Sequence, residues 1–275
     1  MPRKHKIKHN SAPKSIPLRV RALALIGGGI LALILFIIAV RPKTQLMSAA
    51  EIATVQRRGM LRAGVLSDMP GFSDAEQGLE VDLARQLAQV IFPEGDLSLC
   101  LELVPVTSRT ARPKLNSGDI DIAFAQLQDT GESQYTCSLP YYRDPVWLYC
   151  SAQHAAQTLK DQTIGVVQET PEAGLIATYN KENDAQLQSQ SYGSYPDLLD
   201  ALQKGEVLFI ALPGAKARAL GVEGQPKHSS ALGSLGYVAV CSSEESALSQ
   251  LADVIIGELQ QNGTLAQWVN RYQLG

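Results

Sequence analysis

The stretch Asp121 to Pro145, DIAFAQLQDTGESQYTCSLPYYRDP, has the layout of a strand running into a polar loop and then an aromatic-proline segment. Its loop presents two amide side chains, Gln126 and Gln128, and each amide can both donate and accept hydrogen bonds. The loop has Gly131 but no arginine, the side chain that holds a carboxylate through two parallel bonds. Thr170, in VVQETPE, adds a hydroxyl, and Arg109 and Arg112 are the candidate cations. Asp68 and Glu80 can be read as paired carboxylates, but Glu80 opens a helical pattern, where an acid complements the helix dipole. The chain has no G-x-S-x-G, H-E-x-x-H or phosphate-binding loop, and no Cys-His pair in a motif context, so it reads as a non-enzyme. His154 and His228 are far apart and the four cysteines have no zinc-site spacing, so neither a metal nor another cofactor is expected.

Elements that could position these residues are legible in the hydrophobic pattern. Residues 51–58 look like a helix, and LRAGVL (61–66) alternates like a buried strand. In EVDLARQLAQVIF the apolar positions Val81, Leu83, Ala84, Leu87, Ala88 and Ile91 recur at helical spacing, and Pro93 stops the run. A strand at 100–106, a short helix near 113–117 and a strand at 121–125 follow. The second half repeats the alternation: strands at WLYCS, TIGVV and VLFIAL, helices at 171–179 and 195–204, and amphipathic helices at 244–261 and 264–272. Strands alternating with helices predict an α/β chain with a mostly parallel sheet covered on both faces.

Ahead of this body, residues 22–40, ALALIGGGILALILFIIAV, carry no charge, and nineteen residues of helix span roughly 28 Å, a bilayer core. The first 21 residues hold seven of the 24 basic side chains and no acid, which predicts a cytoplasmic tail, a transmembrane anchor and an exported body. That body keeps 17 basic residues against 27 acidic ones, a balance that argues against nucleic acid as a partner. Its four cysteines, Cys100, Cys137, Cys150 and Cys241, therefore face an oxidising compartment, where at least one disulfide is expected and three pairings are possible.

Several stretches, in order, resemble the family 3 extracellular solute-binding proteins, the amino-acid receptors of ABC importers of the glutamate and glutamine type: LRAGVLSDMPGF, GLEVDLARQLA, LVPVTSRTARPKLNSGDIDIA, SLPYYRDPV, LKDQTIGVV and NGTLAQWVNRY. The resemblance implies a two-lobed periplasmic-binding-protein type II fold, here preceded by one transmembrane helix, with a ligand trapped between the lobes. Its boundaries would be a tail at 1–21, an anchor at 22–40, a linker at 41–50, lobe 1 at 51–145 plus 240–275, and lobe 2 at 146–239. The implied partners are a small polar solute, an ABC permease and the membrane, and the implied location is the cell membrane with the bulk of the chain periplasmic. Cys150 and Cys241 end the segments expected to cross between lobes, which favours that pair and leaves Cys100 with Cys137.

The same resemblance exposes departures. Family members carry a Thr-x-Thr pair and then an Arg that clamps the ligand carboxylate; here Gln126, Gln128 and Gly131 stand at those positions. Pro213 stands where an Asp pairs with the ligand ammonium, Leu208 replaces another acid, and Glu169 replaces a Gly that lets the backbone approach the ligand. The candidate ligand-binding set is accordingly Asp68, Phe72, Arg112, Gln126, Gln128 and Thr170, with Phe72 supplying apolar contact. Two functions compete: capture of a polar solute that is not an ordinary amino acid held in the family's mode, or a binding-protein-like module that has lost amino-acid binding and serves as an interaction or assembly subunit at the membrane.

Overall fold

The computed structural model describes residues 49–74 and 76–274. The tail 1–21, the apolar run 22–40 and most of the linker lie outside the described residues, and among the described residues no helix is long and apolar enough to cross a membrane.

Helix α1 (Ala49–Arg58) leads into β1 (Leu61–Leu66), then a small hairpin of β2 (Asp68–Met69) and β3 (Ser73–Asp74). Helix α2 (Leu79–Ile91) buries the stripe read from its sequence, and each of its Val, Leu and Ile side chains contributes about 1.5 to 3 kcal/mol relative to exposure. The short α3 (Leu97–Cys100) is capped by the Asp96 carboxylate, which accepts from the Ser98 backbone N–H, and it enters β4 (Leu101–Val106). Helix α4 (Ala111–Asn116) carries the chain on to β5 (Ile122–Leu127), and β1 pairs in parallel with both β4 and β5.

Next come β6 (Tyr135–Cys137), the long β7 (Tyr142–Cys150), β8 (Thr163–Val167), α5 (Glu172–Asn183) and β9 (Gln188–Tyr192). Helix α6 (Tyr195–Lys204) has a Ser194 cap and ends at Gly205, whose φ of 72° is the left-handed conformation favoured past a helix end. The chain continues through β10 (Phe209–Pro213), α7 (Gly214–Ala219), β11 (Gly233–Ser242), α8 (Ser246–Gln261) and α9 (Thr264–Arg271). Trp268 of α9 is buried in the core.

The strands form one sheet in the order β4-β1-β5-β11-β7-β10-β8-β9, with β6 also on β11. It is mixed rather than mostly parallel. Two parallel groups, β4-β1-β5 and β10-β8-β9, flank a central antiparallel pair, β11 and β7. Strand β11 changes partner along its length: Gly233 to Tyr237 face β7, whereas Val238 and Val240 face β5, and Val240 to Ser242 face β6.

That register corrects the disulfide expectation. All four cysteines are thiols. Because Gly233 lies opposite Val146 and Tyr237 opposite Tyr142, Cys150 and Cys241 point away from each other along the pair, separated by roughly 40 Å at the rise of a strand. Cys100 precedes β4 at the sheet's edge and Cys137 lies in β6 beyond β11, roughly 19 Å away across four strand spacings. A disulfide needs Cα atoms within about 7 Å and Cβ atoms that face each other; Cys137 and Cys241 lie on paired strands but one register step apart, opposite Val240 and Thr136, so their side chains leave on opposite faces of the sheet.

Candidate functional site

The polar loop after β5 is folded onto its own backbone. Gln126 has a φ of 52°, so the chain leaves the strand abruptly, and its N–H donates to Glu80 Oε1 at 2.8 Å. Glu80 is fully buried and also accepts from Tyr141 Oη at 2.6 Å and Ser73 Oγ at 3.1 Å. Burial pushes its carboxyl up to about 7 against these three bonds. Gln126 Nε2 is buried and has no hydrogen-bond partner among the described residues. Further on, Arg112 Nη2 donates to the Gln128 carbonyl at 2.8 Å, and its guanidinium lies 5.3 Å from the centre of the Tyr135 ring. Arg112 thus braces the loop, while its Nε stays buried without a partner. Gly131 has a φ of 70° and donates its N–H to Asp129 Oδ1 at 2.9 Å, so it serves a tight turn.

Facing elements supply a second group. Thr170 Oγ1 donates to the Val167 carbonyl at 2.7 Å, closing the turn after β8. Glu169 has a φ of 58°, the left-handed region that favours glycine, and its carboxylate stands 3.5 Å from Arg109 Nη2 of the loop after β4. Both side chains of that pair are more than three-quarters exposed, which leaves it worth a fraction of a kcal/mol, roughly 0.2 to 1. Glu172, at the start of α5, is 2% exposed, and its Oε2 has no hydrogen-bond partner among the described residues; burial raises its carboxyl, while Thr170 and Lys216 pull the other way. Pro213 ends β10. The acid that meets the following helix comes instead from β7: Asp144, fully buried, accepts from the Ala215 N–H at 3.0 Å and from Tyr237 Oη at 2.7 Å. Burial raises the Asp144 carboxyl too, opposed by these bonds and by Arg218.

The hairpin joins the two groups. Phe72 is fully buried, with its ring 5.1 Å from Tyr142 and 5.8 Å from Tyr237, both edge-on, and those two tyrosines stack on each other at 6.1 Å. Its carbonyl accepts from Glu80 N–H at 2.9 Å. Gly78, with a φ of 132°, makes this approach sterically allowed, since a Cβ there would lie 2.2 Å from the Phe72 oxygen. Helix α7 packs against β2, the strand that carries Asp68. The Tyr237 hydroxyl is held protonated by burial and by three carboxylates, Asp144, Glu172 and Glu80.

Of the sequence candidates, Gln126 and Phe72 meet through Glu80, Arg112 meets Gln128, and Thr170 borders Glu172. The polar residues missed were Asp144 and Glu172, together with the true role of Glu80, which is a buried anchor rather than an exposed helix-start acid. Glu80 falls on the buried stripe of α2 with Ala84, Leu87 and Ile91, and Asp144 falls on the buried face of β7 with Val146 and Leu148, so both were detectable by periodicity. Left unpaired here among the described residues are one acceptor, Glu172 Oε2, and three donors, Gln126 Nε2, Arg112 Nε and Arg218 Nη1. Among the described residues, no group of three or more His, Cys, Asp and Glu side chains is placed to hold a metal ion.

Comparison with known proteins adds the family context. The model of the bacterial extracellular solute-binding proteins, family 3, matches residues 61–275. The "Putative amino-acid ABC transporter-binding protein YhdW" of Escherichia coli K12 is 23% identical over 65% of this chain and 55% of its own length. Membrane-bound lytic murein transglycosylase F of Vibrio cholerae is 26% identical over 72% of this chain and 39% of its own. The chain therefore spans about half the length, or less, of these curated relatives. Among solved structures, the solute receptor for L-cysteine of Neisseria gonorrhoeae superposes with a TM-score of 0.59 at 19% identity, covering 81% of this chain and 93% of that one, a likeness of fold.

Proposed function

The chain belongs to the bacterial extracellular solute-binding proteins, family 3, and from that premise we propose that it is a membrane-tethered receptor that captures a small polar solute offering hydrogen-bond acceptors as well as donors, with no net negative charge. The lobes would be 51–145 with 240–275, and 146–239, meeting where β11 passes from β7 to β5; that change of partner, between Tyr237 and Val240, supports the boundary. The observation that carries the reading is the set of buried polar atoms without partners around the join: Gln126 Nε2, Glu172 Oε2, Arg112 Nε and Arg218 Nη1. Leaving such groups unpaired costs about 1 to 3 kcal/mol each, which a bound solute would recover. Asp144 and Glu172, buried beside Tyr237, support a solute without net negative charge.

Tethering through residues 22–40 and delivery to an ABC permease complete the reading, supported by the charge asymmetry of the first 40 residues and by the name of the Escherichia coli relative. No catalytic role is assigned to any residue. The second reading, an interaction or assembly subunit that has given up solute capture, is favoured by Phe72 being sealed against Tyr142 and Tyr237, and by Arg112 being engaged with the loop.

A thermal-shift screen of the full chain against amino acids, amides, sugars and small peptides separates the two. A solute at a hundred times its Kd adds about 2.7 kcal/mol and a clear rise in midpoint. The expected result is a rise for a solute with both acceptors and donors that disappears in both Gln126→Ala and Glu172→Gln. A flat screen would leave the subunit reading standing.

A further inference from the structure

Strand β9 ends the sheet, and its residues from Gln188 to Ser191 are exposed. Two bonds, one at each end of its ladder with β8, fix which way its backbone faces. The Gln188 N–H donates to the Gln162 carbonyl and the Tyr192 carbonyl accepts from the Gln168 N–H, both at 2.9 Å. Because a strand alternates, Gln188, Gln190 and Tyr192 turn their backbone groups to β8, while Leu187, Ser189 and Ser191 turn theirs outward. The Asn180 side chain covers the first of these: it accepts from the Leu187 N–H at 2.7 Å and donates to the Leu187 carbonyl at 2.8 Å. No element among the described residues does the same for Ser189 and Ser191, which leaves each with an outward N–H and an outward carbonyl. The opposite edge of the sheet is blunted: β4 carries Glu102 and Pro105, and charge and proline both discourage the addition of a strand. Beside β9 the sequence from 185 to 196, AQLQSQSYGSYP, has neither charge nor a proline within the strand.

We infer that β9 is an interface at which the chain pairs with a second copy of itself, antiparallel, about a two-fold axis at Gln190. In that register Ser189 lies opposite the partner's Ser191 and Ser191 opposite the partner's Ser189, so every outward group of both strands is used, in four hydrogen bonds. An identical strand suits this edge because its open backbone groups are donors and acceptors in equal number and its Gln and Ser side chains are both at once. Without charge on either strand, the two copies meet free of like-charge repulsion. Two five-residue strands bury less than the roughly 1,200 Å² of a stable complex, so the pairing is reversible. The inference rests on neither reading of the β11 crossover.

The test is disulfide trapping on the full chain. In this register Gln190 faces the partner's Gln190 in a non-hydrogen-bonded pair, with Cα atoms about 4.5 Å apart and within reach of a disulfide. Gln188 lies roughly 14 Å from the partner's Gln188, out of reach. Gln190→Cys and Gln188→Cys, on one face of the strand and both exposed, are each oxidised with copper phenanthroline, and the wild type is the blank for the four native thiols. The expected result is at least about fivefold more covalent dimer from Gln190→Cys than from Gln188→Cys. Adding Ser189→Pro removes an outward N–H that β8 does not use, and is expected to cut the Gln190→Cys yield severalfold at an unchanged melting midpoint. Equal yields from the two cysteines, no dimer above the blank, or undiminished trapping in the folded proline variant overturns the inference. The comparison of the two cysteines decides the case even where the proline variant unfolds.

Discussion

Glu80 shows how much one residue can carry. It ties the Gln126 backbone, the Tyr141 hydroxyl and Ser73 to the start of α2 from a fully buried position. Its folded carboxyl titrates near 7 rather than near 4.5, so the fold binds this proton more tightly than the unfolded chain does. The stability that proton contributes is fully present below about 4.5 and is lost as pH rises through about 7, on the order of 3 kcal/mol. Glu80→Gln has no such proton, and Asp144 and Glu172 titrate in both proteins. Urea melts at pH 5 and pH 8 should therefore show the variant gaining on the wild type by roughly 2 to 3 kcal/mol across that interval. A difference that stays constant with pH would show that Glu80 is not held protonated. The spacing to Ala84, Leu87 and Ile91 puts Glu80 on the inward face of α2, but in the sequence it reads as a helix-start acid, and its partners lie 46 and 61 residues away, where no local pattern names them.

Among the elements, those with a strong internal pattern were legible. Strands LRAGVL and TIGVV and the helix 195–204 have the limits read from sequence, because the strands are short apolar runs buried on both faces and the helix buries Leu198 and Ala201 on one side. Strand β9, QSQSY, was missed: it is a polar edge strand, almost wholly exposed, that takes its place by pairing with β8 rather than by burying side chains. The partner exchange of β11 was also unreadable, since one strand serving two neighbours obeys tertiary pairing and not its own alternation. Register then decides the cysteines. Ellman titration of the protein unfolded in guanidinium without reductant should count four thiols, and two would mean that a bridge forms which this sheet does not accommodate. In the native protein Cys137 should react slowly at pH 8, because burial and the nearby Asp129 raise its thiol to about 11.

For the whole molecule, the question is whether the fold can still hold a free amino acid as its family does. The sequence already pointed to the missing countercharges, and the geometry explains what replaced them: Gly131 serves the turn with Asp129, and Pro213 gives way to Asp144 at the start of α7. A ligand carboxylate entering the join would approach Asp144 and Glu172, both buried. Two cations could answer it. Arg112 would first have to leave the Gln128 carbonyl and the Tyr135 ring, and Arg218 would have to leave the field of Asp144. Losing a clamp of two charge-assisted bonds, each about 1.5 to 3 kcal/mol, weakens binding by two orders of magnitude or more. Calorimetry with glutamate and glutamine should therefore give dissociation constants weaker than roughly 0.1 mM. Micromolar binding of either would overturn this expectation, and its loss in Arg112→Ala or in Arg218→Ala would identify which guanidinium had taken over the carboxylate.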